Sequence, residues 1–434
     1  MRMTKRGSLA FAALAACLWA QDPAPLALAQ GPAPPVDASE QDASVSEAAV
    51  DRTEAYRRAK ALADVGRRMF VDRSLSGSGA MSCASCHDPA RAFSPPNALP
   101  VQPGGEKLDR QGFRAAPGLT YRQTTPRFTE HYHESDDDGD ESVDAGPTGG
   151  LTWDGRVDRT SAQALIPLTS PVEMANSDRA DLARRIEAGY GAQLRSALGP
   201  SMPQGAEGAL EAGVRALQAY QQTPEEFFPY TSKYDAYLAG AAELSPREKH
   251  GLDLFNDETK GNCASCHFSV SPLIGVRPNF TDFGFIALGL PRNMKIPANG
   301  DRKFFDLGLG GPERTDFTDN DEYCGLFKAP PLRNIALRQV FFHNGAARTL
   351  REAVAFYVER DVRPEKWYPR RADGKVEKFD DLPPRCRANV NMDPPFGGKP
   401  GDPPALTEAE IDDVVAFLET LTDGYGRTAR RASR

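Results

Sequence analysis

Apolar residues recur at helical spacing in three stretches of the chain. Tyr56, Ala59, Leu62, Ala63, Met69 and Phe70 predict a helix beginning near Thr53, and the run Arg73-Ser74-Leu75-Ser76-Gly77-Ser78-Gly79 breaks it. Ser245-Pro246-Arg247-Glu248 is a capping box with proline at the first helical position. Leu252, Leu254 and Phe255 follow it, and Asp257 to Asn262 reads as a turn. Thr407-Glu408-Ala409-Glu410 is another such box; Ile411, Val414, Val415, Leu418 and Leu421 then share one helical face until Asp423-Gly424 stops the helix.

The first two helices lead into the same five residues, Cys83-Ala84-Ser85-Cys86-His87 and Cys263-Ala264-Ser265-Cys266-His267. C-x-x-C-H is the attachment motif of a c-type haem: two thiols form thioethers and the adjoining histidine ligates iron. A lone C-x-x-C serves equally as a redox dithiol or half a zinc site. A histidine directly after the second cysteine, twice over, makes both poor explanations, since neither chemistry requires it there. Helix, turn and haem motif is how a small cytochrome c domain begins, so the duplicated unit is an internal repeat of one haem-binding module. The helix after Thr407 completes the second module, packing over the haem edge, although a plain core helix would have the same sequence. The expected fold is mainly α with two cytochrome c-like haem domains, spanning residues 51–243 and 244–434, and the expected cofactors are two covalently bound haem c groups.

A chain of 434 residues is long enough for two such domains. A formal charge of −8 and the lack of a basic stripe interleaved with aromatics argue against a nucleic-acid partner. At the N-terminus, Arg2, Lys5 and Arg6 precede a short apolar run from Leu9 to Ala16, too short to span a bilayer, which reads as an export signal. Leu14-Ala15-Ala16-Cys17 resembles a lipobox, which would tether the protein to a membrane through lipidated Cys17; Ala27-Leu28-Ala29 is a rival A-x-A cleavage site, and the two stand equal. Either places the mature protein in the periplasm, where disulfides persist. Residues 1–50 are thus signal peptide and disordered tether. Cys324 and Cys386, in loop-like stretches of the second domain, are expected to form a disulfide that pins the segment after residue 361 to the loop before Pro331.

From about residue 60 to 425 the chain resembles the bacterial di-haem cytochrome c peroxidase and MauG family. The resemblance rests on Leu75-Ser76-Gly77, Trp153-Asp154-Gly155-Arg156, Pro171-Val172-Glu173-Met174, Ser232-Lys233-Tyr234-Asp235, Pro331-Leu332-Arg333-Asn334 and Phe342-His343-Asn344-Gly345, in family order. It implies that Cys83, Cys86 and His87 hold the peroxide-reacting haem, and that Cys263, Cys266 and His267 hold an electron-transfer haem. It makes Glu173 the distal carboxylate that moves a proton between the oxygens of hydrogen peroxide. A lone glutamate is otherwise most often a solvated surface charge. Gln163 and Pro167 match residues lining the same pocket. Trp153 matches the indole between the haems, which relays an electron; a large aromatic packing the domain interface is the plainer alternative.

The second axial ligand of the second haem separates the branches. Peroxidases have a methionine fourteen residues after the histidine of the F-H-x-G motif; here that position is Tyr357, as in MauG-like proteins. A phenolic oxygen is a harder donor than a thioether and lowers the potential. The alternative is that Tyr357 is core and Met294 or Met392 reaches the iron. The loop histidine that caps the first iron in the peroxidases is missing, as no histidine lies between His87 and His131, so that haem is expected to be open at rest unless His131 or His133 takes over. The acidic insertion 130–150 resembles an EF-hand only superficially and reads as a solvated loop. The resemblance also implies one calcium ion between the domains, but Ala115 replaces the asparagine expected of its side-chain ligand, leaving backbone carbonyls. The expected function is a periplasmic di-haem oxidoreductase that reacts with hydrogen peroxide. It would draw electrons from a small cytochrome c or cupredoxin or, as MauG-like enzymes do, from tryptophan or tyrosine side chains of a partner protein. A non-enzymatic di-haem electron carrier is the alternative from another class.

Overall fold

The computed structural model describes residues 52–133, 144–271 and 275–426. Cys17, the Ala27-Leu28-Ala29 site, the tether and most of the acidic insertion lie outside the described residues. Eight helices are used below: α1 (Arg52–Val71), α2 (Thr160–Thr169), α3 (Arg179–Leu198), α4 (Gly205–Gln221), α5 (Lys233–Leu238), α6 (Pro246–Asn256), α7 (Leu350–Glu359) and α8 (Glu408–Glu419). The fold is mainly α, with two short antiparallel strand pairs, β1 (Pro103–Gly104) on β2 (Arg110–Gln111) and β3 (Phe285–Ile286) on β4 (Phe327–Lys328). From Glu54 onward the chain forms one compact unit. Among the described residues no helix is long and apolar enough to cross a membrane.

The capping boxes form as the side chains dictate: Ser245 Oγ accepts from Glu248 N and Thr407 Oγ1 from Glu410 N, while the two glutamates reach back to the cap N–H groups. Burial then divides the apolar residues between two main cores. One gathers Met69 and Phe70 of α1, Leu168 of α2, Leu182 and Ile186 of α3, Leu210 and Leu217 of α4, and then Phe227. The other gathers Tyr234 of α5, Leu252 and Phe255 of α6, Val354 and Val358 of α7, and Ile411, Val414 and Phe417 of α8. Helix α5 therefore belongs to the second core although it precedes residue 244. Its Ser232–Asp235 capping box is the cause, because Asp235 also binds the guanidinium of buried Arg333.

Each core is closed by a helix crossing that only glycine permits. A Cβ on Gly66 of α1 would lie 1.9 Å from the Ala216 carbonyl oxygen of α4, and one on Gly251 of α6 would lie 1.9 Å from the Asp413 carbonyl oxygen of α8. The backbones touch there, which fixes the angle at which α1 and α6 deliver the chain to the two C-x-x-C-H motifs. A small third cluster, Leu382, Val390 and the Cys324–Cys386 disulfide, joins the loop before Pro331 to the proline-rich segment as expected.

Candidate functional site

Two cavities hold the candidate chemistry. One is lined by Cys83, Cys86 and His87 and the other by Cys263, Cys266 and His267. In both motifs a single 3₁₀ turn folds the cysteines back, and the histidine N–H donates to the first cysteine's carbonyl oxygen, at 3.0 Å in the first and 2.9 Å in the second. The ring Nδ1 atoms face main-chain carbonyls, His87 that of Phe93 at 3.3 Å and His267 that of Phe280 at 2.7 Å. That contact selects the tautomer with the proton on Nδ1 and leaves Nε2 as a free donor atom. Burial holds both imidazoles neutral, down to about 4, and pushes the thiols of Cys83, Cys86 and Cys263 up to about 12. Such thiols stay protonated in the free protein and do not make a reactive dithiol. A neutral imidazole beside two protonated thiols in an apolar cavity fits a c-type haem in each half.

A second repeat, less visible in sequence, forms part of each cavity wall. The chain makes the same loop at 151–157 and 341–347, each closed by a single bridge, Leu151 to Val157 and Phe341 to Ala347. Backbone angles match: φ is 73° at Thr152 and 67° at Phe342, and 64° at both Gly155 and Gly345. Each loop leads directly into a ten-residue helix, α2 in the first half and α7 in the second. Trp153 thus corresponds to His343, and Pro167 to Tyr357, each pair fourteen residues apart. Pro167 lines the first cavity and Tyr357 the second. The same helical position presents a residue without a donor atom to one cavity and a phenol to the other.

Tyr357 lies among Phe342, Phe356 and Phe396, with ring centroids 5.5–6.5 Å away. No described protein group hydrogen-bonds its hydroxyl. Burial raises its pKa, and the neighbouring Cys266 and Cys263 add to the effect, so the free phenol keeps its proton. Met294 and Met392, the alternative ligands, are 66% and 47% exposed, and neither lines the cavity.

In the first cavity Glu173 is held by backbone on both sides. Its carbonyl oxygen accepts from Gly105 N at 2.8 Å, and its N donates to Ser170 O at 3.1 Å. Gly104 of β1 passes so close that a Cβ there would lie 2.8 Å from the Glu173 Cα. Gly77 N donates to Met174 O at 2.7 Å, and Asn176 Nδ2 donates to the Leu75 and Leu168 carbonyl oxygens. The Leu75-Ser76-Gly77 and Pro171–Met174 motifs are therefore one braced structure aiming the carboxyl. Burial raises the Glu173 pKa; a hydrogen bond from Ser170 opposes the shift and Glu313 reinforces it. Gln163 lines the same cavity. His131 is exposed and bound to Asp144, and neither it nor His133 lines this cavity.

Trp153 lines both cavities. Its Nε1 donates to Ala115 O at 2.8 Å, and its ring meets His343 edge to face at 6.4 Å. Around it stands a charge cluster that the sequence did not reveal. Arg114 binds both Asp154 and Asp306, Arg156 binds Asp154 and Glu313, and Arg292 binds Asp381, whose pKa burial pushes up to about 7. Arg156 and Glu313 line the first cavity, Asp306 and Asp381 the second. Asp154 and Arg156 stood inside a motif quoted for the family; Glu313, Asp306 and Asp381 carried no local signal.

Residues 60–243 match the di-haem cytochrome c peroxidase family. The chain is 34% identical to the methylamine utilization protein MauG of Paracoccus denitrificans over 84% of its own length and 89% of that protein's. It is 28% identical to the cytochrome c551 peroxidase of Nitrosomonas europaea, over 68% and 71% of the two chains. Among solved structures, the di-haem peroxidase BthA of Burkholderia thailandensis superposes with a TM-score of 0.73 at 42% identity, over 84% of this chain and 86% of that one.

Proposed function

From a chain that belongs to the family of di-haem cytochrome c peroxidases and MauG, and is itself a di-haem peroxidase of that kind, we infer a division of labour between its two halves. Cys83 and Cys86 would tether one haem c and Cys263 and Cys266 the other, with His87 and His267 as the residues whose Nε2 would hold the irons. The bound haems supply the redox chemistry, by which two electrons and two protons convert hydrogen peroxide to water. The chain's own residues decide which haem does what. Pro167 has no donor to offer a haem in the first cavity, which would leave that haem free to take peroxide. Tyr357, at the equivalent place in the other half, would help hold the second haem through its phenolic oxygen, giving up its proton to do so.

Glu173 moves the proton. A bound haem would supply the reduction, and Glu173, a carboxyl in the cavity wall, would take a proton from one peroxide oxygen and return it to the other; burial raises its pKa, which favours the return. Gln163 orients the same peroxide. Trp153, which forms part of both cavity walls, carries electrons between the halves. The observation that carries the assignment is the loop-and-helix repeat that pairs Pro167 with Tyr357.

The protein works in the periplasm, exported by its N-terminal signal, either lipidated at Cys17 or cleaved after Ala29. It takes electrons from a small cytochrome c or cupredoxin. Tyr357 in place of methionine favours a second reading, in which the electrons come from tryptophan or tyrosine side chains of a partner protein, because hard anionic ligation disfavours accepting electrons from a high-potential donor.

Electron paramagnetic resonance and optical spectra of the ferric holo-protein, before and after one equivalent of peroxide, test the assignment. One high-spin and one low-spin haem without a methionine charge-transfer band, reacting with peroxide directly, is the expected result. A methionine band with reaction only after partial reduction would overturn the Tyr357 assignment. Two six-coordinate low-spin haems inert to peroxide would mean an electron carrier.

A further inference from the structure

Reducing hydrogen peroxide takes two electrons and two protons and gives two waters, and Glu173 accounts for only part of that balance. Passing one proton from one peroxide oxygen to the other lets the O–O bond break and releases the first water, but it brings no proton in. The second water forms as a donor returns two electrons, and its two protons come from solvent. The first cavity therefore needs a route by which protons enter.

Two carboxyl side chains stand in the described wall of that cavity, Glu173 and Glu313. Every other described wall residue lies between Phe70 and Gln221, so Glu313 reaches in from the second half. Its place is set by the residue that follows it. Arg314 is buried, donates from Nη1 to the Asp154 carbonyl oxygen at 3.0 Å and lies over the Phe128 ring at 3.7 Å, which pins this stretch against the Trp153-Asp154 loop. Arg156, anchored by both carboxylate oxygens of Asp154, meets the Glu313 carboxylate at 3.2 Å.

The two carboxyls differ in what they reach. The Glu313 side chain is 42% exposed, and Pro312 and Thr315 near it are exposed as well, so this part of the wall meets solvent. Glu173 is enclosed by backbone on both sides. Burial raises its pKa, Ser170 opposes the shift, Glu313 adds to it and Arg156 lowers it, so both partners of the surface ion pair act on Glu173. Guanidinium groups keep their protons and amides do not ionise. Among the polar groups of this wall that stand apart from the haem attachment motif, Glu313 is then the second one able to release a proton and regain it from water.

We propose that Glu313 is the proton entry of the peroxide site: its carboxyl takes protons from solvent and passes them through cavity water to Glu173, which delivers them to the oxygen that becomes the second water. The inference rests on Glu173 being the carboxyl that serves peroxide. Glu313 acts through it and touches no reacting atom.

Sequential-mixing stopped flow of the full-length holo-protein separates the two uses of protons. One equivalent of peroxide is added first and ascorbate second, at ascorbate concentrations where the return to the ferric spectrum no longer quickens. Glu313→Gln should slow that return on the order of tenfold, below the about 10²–10⁴ of a direct proton transfer because water reaches the cavity by other polar residues. It should slow the return more than the peroxide step. Acetate at constant pH and ionic strength should restore the return in Glu313→Gln, and further in Glu313→Ala, while leaving the wild type unchanged, since a small weak acid carries protons where the relay is missing. A return as fast as in the wild type would overturn the relay. So would a slow return that acetate does not quicken, which would make Glu313 a brace for Arg156. Glu173→Gln keeps the two claims apart: if it reacts with peroxide as fast as the wild type, the residue on which the relay depends is removed, whereas a slow Glu173→Gln beside unslowed Glu313 variants removes the relay alone.

Discussion

Replacing Glu173 with glutamine isolates the proton-transfer step. The two side chains have nearly the same volume, and the position is braced through main-chain contacts, Gly105 N to Glu173 O and Glu173 N to Ser170 O, which the substitution leaves intact. What is lost is a group able to take and return a proton, a contribution of about 10²–10⁴ in rate. The first cavity is also lined by polar Gln102, Gln163 and Arg156, so water can reach the site and substitute in part. The expected loss is therefore at the lower end, about 10²–10³ in the second-order rate constant for peroxide, or ~2.7–4 kcal/mol of barrier at 1.36 kcal/mol per decade. Stopped-flow mixing of ferric holo-protein with peroxide measures it. The pH profile adds a sign. Peroxide must give its proton to the carboxylate form, and burial raises the pKa of Glu173. The wild-type rate should accordingly climb with pH through a value above that of an exposed glutamate and then level off, while Glu173→Gln should lack that limb. Glu173→Asp should recover part of the rate. A glutamine variant within about threefold of wild type would exceed no ordinary perturbation of a site, and would remove Glu173 from the mechanism.

Other expectations follow from the same geometry. Tyr357→Met should raise the potential of the second haem and introduce a methionine charge-transfer band; an unchanged spectrum would show Tyr357 to be core packing only. Removing the Cys324–Cys386 bridge with serines releases a loop of 62 residues, which chain entropy values at about 4 kcal/mol, and urea unfolding of the holo-protein followed through the second haem's absorption would detect a loss well below that as a contradiction. Gly251→Ala forces α6 away from α8 and should cost about 1–3 kcal/mol, read as a lower denaturation midpoint with the first haem's spectrum unchanged. Raising pH through about 7 removes the Lys328 proton; loss of that positive charge should lower the second haem's potential. Asp381, in the wall of the same cavity and pushed up to about 7, ionises over the same range, so the slope should shrink in Lys328→Met, and an undiminished slope would refute the Lys328 contribution.

Much of this site was legible because its chemistry is local in sequence. A thiol, two spacers, a thiol and an imidazole define a haem motif without any tertiary information, and a serine or threonine three residues ahead of a glutamate defines a helix start. Tyr357 was reachable because a helix keeps a fixed offset from the loop that begins it. The charge cluster was not reachable. Arg114 meets Asp306 across 192 positions and Lys328 meets Gly150 across 178, and an arginine destined for a buried pair looks like one bound for the surface. The glycine crossings at Gly66 and Gly251 were equally silent, since a glycine inside a helix is merely unfavourable until the opposing backbone is known. The assignment of α5 to the second core depended on Asp235 finding Arg333, also far away in sequence.

The two halves share their attachment motif, their histidine tautomer and their loop-and-helix frame, so none of these can make the haems differ. The differences sit at positions where the repeat has diverged. In the proposed division of labour, proline against tyrosine on α2 and α7 is the difference that would leave one haem open and the other held on both sides. Glu173 lies beyond the end of α2, and Arg363 occupies the corresponding place after α7, so the repeat carries a carboxyl at this position in one half alone. Arg363 is instead tied to Glu359 and Glu408 on the outside of the second core. Trp153 against His343 places the readily oxidised ring in the loop of the peroxide half, packed edge to face on its own counterpart at 6.4 Å. On the proposed route, an electron passing between the halves would cross this contact of the two loops. A swap confined to that pair should alter the rate of electron sharing between the haems and leave the ligation of each unchanged; a change in either haem's spin state on substituting Trp153 with phenylalanine would show that the loop holds the haems rather than connecting them.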